Sequence, residues 1–146
     1  MIIYTIGFTK KSAEEFFETL RKSGARHLLD IRLRNTSQLA GFTKRDDLRY
    51  FLENLTVMEY HEVASLAPTE AMLKEYRKTK DWRAYEEQYL SLINTRHAEE
   101  SVESKLLNEG AVLLCSEPKP RQCHRRLAAE YLALQVKPEK ATIVHL

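Results

Sequence analysis

The run Ala111-Val112-Leu113-Leu114-Cys115 places the tightest limit on how this chain can fold. All five side chains are apolar, so a strand here is apolar on both faces. A strand with one wet face alternates apolar and polar residues. A strand covered by helices on both sides does not, and it belongs in the middle of a parallel sheet. Gly110 on one side and Ser116-Glu117-Pro118 on the other hold the run to strand length.

The rest of the chain agrees with that placement. Ile2 to Ile6 is apolar and β-branched and ends at Gly7, which predicts a first strand. Ser12 followed by Glu15 is a capping box, Phe16, Phe17 and Leu20 make an apolar stripe, and Gly24 stops that helix. His27 to Ile31 predicts a second strand and Val57 to Val63 a weaker third, with Leu48, Phe51, Leu52 and Leu55 lining a helix between them. Thr69 opens a helix carrying Met72, Leu73 and Tyr76, and Asp81 caps another carrying Trp82, Tyr85, Tyr89 and Leu92. Further helices are expected from Ala98 to Asn108 and from Arg121 to Gln135, and a last strand from Thr142 to Leu146. Strands alternating with helices predict one α/β domain over residues 1–146: three layers, a mostly parallel sheet of about five strands, and right-handed crossovers.

Composition excludes several classes. The 146 residues are 43% hydrophobic and 30% charged, the balance of a globular domain. A net charge of +2 does not argue for a nucleic-acid protein by itself. Two cysteines are too few for a disulfide framework, no leader pattern opens the chain, and no apolar stretch spans a bilayer. The expectation is a cytoplasmic protein with reduced thiols and no membrane partner. Oligomeric state is not readable.

In a parallel α/β sheet, ligands bind beyond the carboxyl ends of the strands. Three predicted strands end in unusual residues there: Gly7-Phe8-Thr9, Asp30-Ile31-Arg32, and Cys115-Ser116-Glu117. The segment from Cys115 to Arg125 joins a strand to a helix whose start carries Lys119, Arg121, His124 and Arg125. Cations oppose the positive end of a helix dipole, so the arrangement costs stability unless an anion or Glu117 sits nearby. This predicts an anion site held by Arg32, Arg121 and Arg125. Cys115 is a candidate nucleophile, since dipole and cations would stabilise its thiolate, or else a small buried apolar residue. Cys123 extends the helical stripe of Leu127, Tyr131 and Leu134, and packing is its expected role at the rim. Zinc ligation by Cys115, Glu117, Cys123 and His124 is set aside, because adjacent helix residues diverge by about 100° and the surrounding cations repel a metal. No metal or cofactor is expected. Cys115 and Arg121 also keep the Cys-x5-Arg spacing of phosphatase and rhodanese loops, but Pro118 and Pro120 remove backbone donors from that loop.

At these residues the chain resembles the domain-of-unknown-function family 488. Its pattern has a Thr-Ile-Gly-His-Ser start, an Asp-x-Arg after the second strand, and a Cys-x-Glu…Cys-His-Arg segment near the end. Thr5-Ile6-Gly7-Phe8-Thr9, Asp30-Ile31-Arg32 and Cys115-x-Glu117…Cys123-His124-Arg125 match in that order, with Phe8 where the family has histidine. Phe42-x-Lys44, Tyr60 before Leu66, and Leu66-Ala67-Pro68-Thr69 fit the weaker intervening pattern. The family is uncharacterised, so the resemblance implies a fold and site positions, not an activity.

Two function classes follow. One is an enzyme, a hydrolase or transferase acting on a phosphate-bearing small molecule, nucleotide or nucleic-acid end. In it Cys115 is nucleophile or proton donor, Glu117 and His124 are general acid or base, and Asp30 orients partners. Gly7, Phe8, Thr9, Arg32, Arg121, Cys123 and Arg125 would form the substrate pocket. The other is a non-catalytic nucleotide- or nucleic-acid-binding module, with Phe8, Phe42 or Tyr60 stacking on bases.

Overall fold

A computed structural model describes residues 1–36, 41–116, 121–136 and 141–146. Strands β1 (Ile2–Gly7), β2 (His27–Asp30), β3 (Glu59–Glu62), β4 (Ala111–Cys115) and β5 (Thr142–His145) form one sheet. The strand order is β3-β2-β4-β1-β5 and every pairing is parallel. The doubly apolar run is the middle strand. Ala111 stands opposite Ile3 on one side and His27 on the other, and all five residues of β4 are at most 1% exposed.

Alternation along the strands builds the two cores. Val112, Leu114, Leu28 and Ile6 pack against Phe16, Phe17 and Leu20 of α1 (Ala13–Ser23) and Leu48 and Leu52 of α2 (Arg45–Leu55). Ala111, Leu113, Leu29 and Ile3 face the other way. They meet Tyr85, Tyr89 and Ile93 of α4 (Trp82–Thr95), Leu107 of α5 (Ser104–Asn108), and Leu127, Ala128 and Leu132 of α6 (His124–Val136). The chain is therefore an α/β fold with helices on both faces of the sheet.

Caps set the helix ends where the sequence places them. Ser12 Oγ accepts the Glu15 amide, and Gly24 takes φ +76° after α1. Thr69 caps α3 (Glu70–Thr79) through the Met72 amide, and Asp81 caps α4 through the Ala84 amide. Gly110 is required twice over: its φ is +97°, and a Cβ there would stand 3.0 Å from Ala25 Cα.

Two predicted helices differ from expectation. The segment 98–108 is a 3-10 turn over Ala98–Ser101 followed by α5. Val102 and Glu103 are extended between them, and Val102 buries its side chain in the core. The last helix begins at His124 instead of Arg121, so Arg121 to Cys123 form a turn ahead of it. No helix among the described residues is long and apolar enough to cross a membrane.

Candidate functional site

Because the strands are parallel, their carboxyl ends share one edge. Gly7 is in register with Cys115, and Asp30 with Leu114. Thr9 fastens the chain leaving β1 to the chain leaving β4, its amide and hydroxyl both donating to the Ser116 carbonyl.

Asp30 is 1% exposed and fully engaged. One carboxylate oxygen accepts the Arg32 amide and Nε at 3.2 and 2.8 Å, and the other accepts Arg32 Nη2 at 2.9 Å and the Tyr60 hydroxyl. That fork fixes Arg32, whose Nη2 also donates to the Thr43 carbonyl at 2.7 Å. The guanidinium carbon lies 5.5 Å from the centroid of the Phe8 ring. Among the described residues, no acceptor meets Arg32 Nη1. Asp30 thus fixes the orientation of Arg32.

Beside this pair lies a cavity of about 460 Å³. Phe8, Arg32, Cys115, Ser116, Cys123 and His124 line its sheet side. The opposite wall is the hairpin of α3 and α4, which contributes Tyr76, Arg77, Lys80, Trp82 and Tyr85. Arg34 adds a further cation and is itself paired with Glu70. No aspartate or glutamate among the described residues lines the cavity. Trp82 stacks on Tyr85 with ring centroids 5.1 Å apart, and the Tyr76 hydroxyl reaches Gln122 at 3.4 Å.

Cys115 and Cys123 are joined to each other as a disulfide at the floor of this cavity. The sequence leads to an expectation of reduced thiols; here the two sulfurs are paired with each other. Cys123 lies just ahead of α6 and not on its stripe, so its side chain turns toward the end of β4. With Cys123 ahead of the helix, it and His124 no longer diverge as adjacent helical residues do. One ligand atom from each of Cys115, Cys123 and His124 lies within 4.8 Å of the others. Both sulfurs are committed to each other, however, and Arg125 Nη1 donates to Cys115 Sγ at 3.4 Å, a charge that opposes a cation there.

Arg125, expected on the rim, is fully buried and does not line the cavity. Its Nε donates to Thr5 Oγ1 at 3.3 Å, and Thr5 Oγ1 lies 2.6 Å from His145 Nδ1. Arg121 is exposed and also stands outside the cavity, lining a neighbouring groove with Trp82, Arg126 and His145. With Arg121 there, the Cys-x5-Arg analogy loses its anion-binding arginine. Phe42 packs on Phe16 and Phe17, and the Tyr60 ring lies under Arg49, so of the three proposed stacking aromatics only Phe8 reaches the cavity. Glu117, Pro118, Lys119 and Pro120 lie outside the described residues.

His124 Nε2 donates to the Ile31 carbonyl at 2.9 Å, and Tyr89 packs edge-on against the ring at 5.5 Å. Burial pushes its pKa down to about 4, with Arg125 adding to the fall and the Ile31 carbonyl and Asp30 opposing it. The ring is therefore neutral at pH 7, with Nε2–H occupied and Nδ1 an acceptor. It offers an anion no positive charge. The folded-state value lies below the ordinary 6.5, so unfolding takes up a proton between about pH 4 and 6.5. Stability should be complete above that window and fall as the pH drops through it. His124→Gln keeps an N–H donor for Ile31 and should flatten this dependence in urea titrations at pH 4.5 and 7. Equal slopes for both proteins would remove His124 as its source.

The α3–α4 wall was not identified as part of a site from sequence. Met72, Tyr76, Tyr85 and Tyr89 keep core spacing, and they do reach the core. The available signal was Arg77 and Lys80 beside Trp82, a basic and aromatic group at one helix junction. The family model described as "Domain of unknown function DUF488" matches residues 12–132. No curated protein and no solved structure matches the chain.

Proposed function

The chain belongs to the DUF488 family, and we propose that its cavity at the carboxyl ends of the strands binds an anionic ligand carrying a planar ring, a nucleotide or the end of a nucleic acid. One observation carries this reading: a wall of aromatic rings facing cations, with no carboxylate among the described lining residues. Rings stack on a base, and Arg32, held flat by Asp30, keeps Nη1 for a phosphate oxygen. Arg77 and Lys80 sit at the exposed lip and add long-range attraction.

Trp82 is the only tryptophan, so its fluorescence reports on the site directly. AMP should quench it with higher affinity than inorganic phosphate or adenosine alone. The double variant Arg77→Glu/Lys80→Glu should weaken AMP at least about tenfold, equivalent to ~1.4 kcal/mol. A short single-stranded oligonucleotide that competes better than AMP would identify a nucleic-acid end as the preferred ligand. No change in Trp82 emission with millimolar AMP, phosphate or oligonucleotide would end the proposal.

A catalytic version rests on the contact between Arg125 Nη1 and Cys115 Sγ. Once the disulfide is reduced, that guanidinium favours the Cys115 thiolate and makes it a nucleophile toward a phosphoryl or acyl group of a bound substrate. After reduction, iodoacetamide should modify Cys115 faster than Cys123. Equal rates for the two thiols would leave only the binding function.

A further inference from the structure

The opposite end of the sheet holds a second group of chemistry-bearing residues, which takes no part in the cavity. His27 opens β2 and Glu59 opens β3, and the two are register partners. His61 lies two residues beyond Glu59 and so shares its face. His27 Nδ1 stands 3.0 Å from His61 Nε2, and Glu59 Oε2 stands 3.7 Å from the first and 3.8 Å from the second. His27 is buried, whereas His61 and Glu59 face solvent with side chains 29% and 71% exposed.

From this geometry we infer that His27, His61 and Glu59 form a binding site for a divalent transition-metal ion of the zinc class, with a fourth position open to water. A point equidistant from three atoms at these separations lies about 2 Å from each, which matches zinc–imidazole and zinc–carboxylate bonds of roughly 2.0–2.2 Å. Two imidazoles and one carboxylate are also a donor set that magnesium and calcium rarely select. The outer contacts fit as well. His27 Nε2 lies 3.3 Å from Glu109 Oε2, so it carries the proton and leaves the Nδ1 lone pair for the ion. The other oxygen of Glu109 is held by Lys105 at 3.7 Å. The ion takes the place of the proton between the two rings, and His61 moves that proton to its own Nδ1. The site bridges β2 to β3, which is the edge strand of the sheet. Metal binding should therefore fasten that edge in place.

The test uses the full chain freed of metal by chelation. Zinc should bind at one equivalent by calorimetry and raise Tm, and magnesium at the same concentration should do neither. Cobalt(II) should give the intense visible bands of a four-coordinate ion. His61→Ala, at a partly exposed position, should fold normally by circular dichroism and lose zinc binding and the cobalt bands. Glu109→Gln should weaken zinc about 10–100-fold while leaving the ligands in place. AMP quenching of Trp82 should persist in both variants, which separates this site from the cavity. Absence of saturable zinc binding would overturn the inference. So would zinc binding that survives His61→Ala and Glu59→Gln but is lost on replacing Cys115 and Cys123 by serine.

Discussion

Replacing Asp30 by alanine is expected to lower the stability of the protein by about 3–5 kcal/mol, enough to drop Tm by roughly 10 °C for a chain of this size. The reason is what the change leaves behind. Arg32 is 6% exposed and donates its hydrogen bonds mainly to Asp30, and the Tyr60 hydroxyl donates to the same carboxylate. Alanine strands a buried guanidinium and a half-buried phenol together. A triple variant, Asp30→Leu with Arg32→Met and Tyr60→Phe, removes all the polar groups at once and should recover most of the loss, since buried ionic clusters are often replaceable by apolar packing. The recovered protein should not bind AMP. Urea unfolding of the single and triple variants decides the matter, and a single-variant loss below about 1 kcal/mol would show Asp30 to be dispensable to the fold.

The Arg125→Met variant is the second large effect. Arg125 is completely buried between α6 and the strand ends, with Thr5 and Cys115 among its partners. Losing these hydrogen bonds inside the core should cost about 3 kcal/mol. Arg126→Ala is the control. Its guanidinium pairs with Glu130 at 3.0 Å one helical turn on, in a partly exposed setting, and its removal should cost no more than about 0.5 kcal/mol. Thermal melts of the two variants should differ by several degrees. If Arg125→Met melts like the wild type while AMP binding is lost, the side chain belongs to the ligand and not to the core.

The middle of the fold was legible because it depends on local pattern. Five apolar residues in a row, bounded by Gly110 and Pro118, fit a strand covered on both faces, and β4 is that strand. Ser12, Thr69, Asp81 and Gly24 act on their own neighbours, so their positions were readable too. The site was only half legible. Phe8, Arg32, Cys115, Cys123 and His124 come together because they follow parallel strands. A helix start reads from sequence as part of the rim, but Arg125 lies in the core. α6 buries Arg125 with Leu127, Ala128, Ala129, Tyr131 and Leu132, so position 125 falls on the core face while Arg126, next in the chain, reaches the partly exposed side. The aromatic wall was hidden because the same rings serve core and cavity. The His27–Glu59–His61 cluster needed the strand register, which pairs residues far apart in sequence.

The position of β4 also decides when this protein can exist as a folded object. β1 pairs only with β4 and β5, whereas β2 pairs with β3 and β4. Synthesis runs from the amino terminus, so β1 emerges first and then waits for a partner that begins at Ala111. Throughout that wait, its backbone edges are unpaired and its apolar side chains lack their neighbours. Closing so long a loop also slows folding relative to a sheet built from adjacent hairpins. A ribosome paused between β3 and β4 therefore holds the β2–β3 pair and a lone β1, with no strand to join them. Assembly of the sheet is in effect a late event.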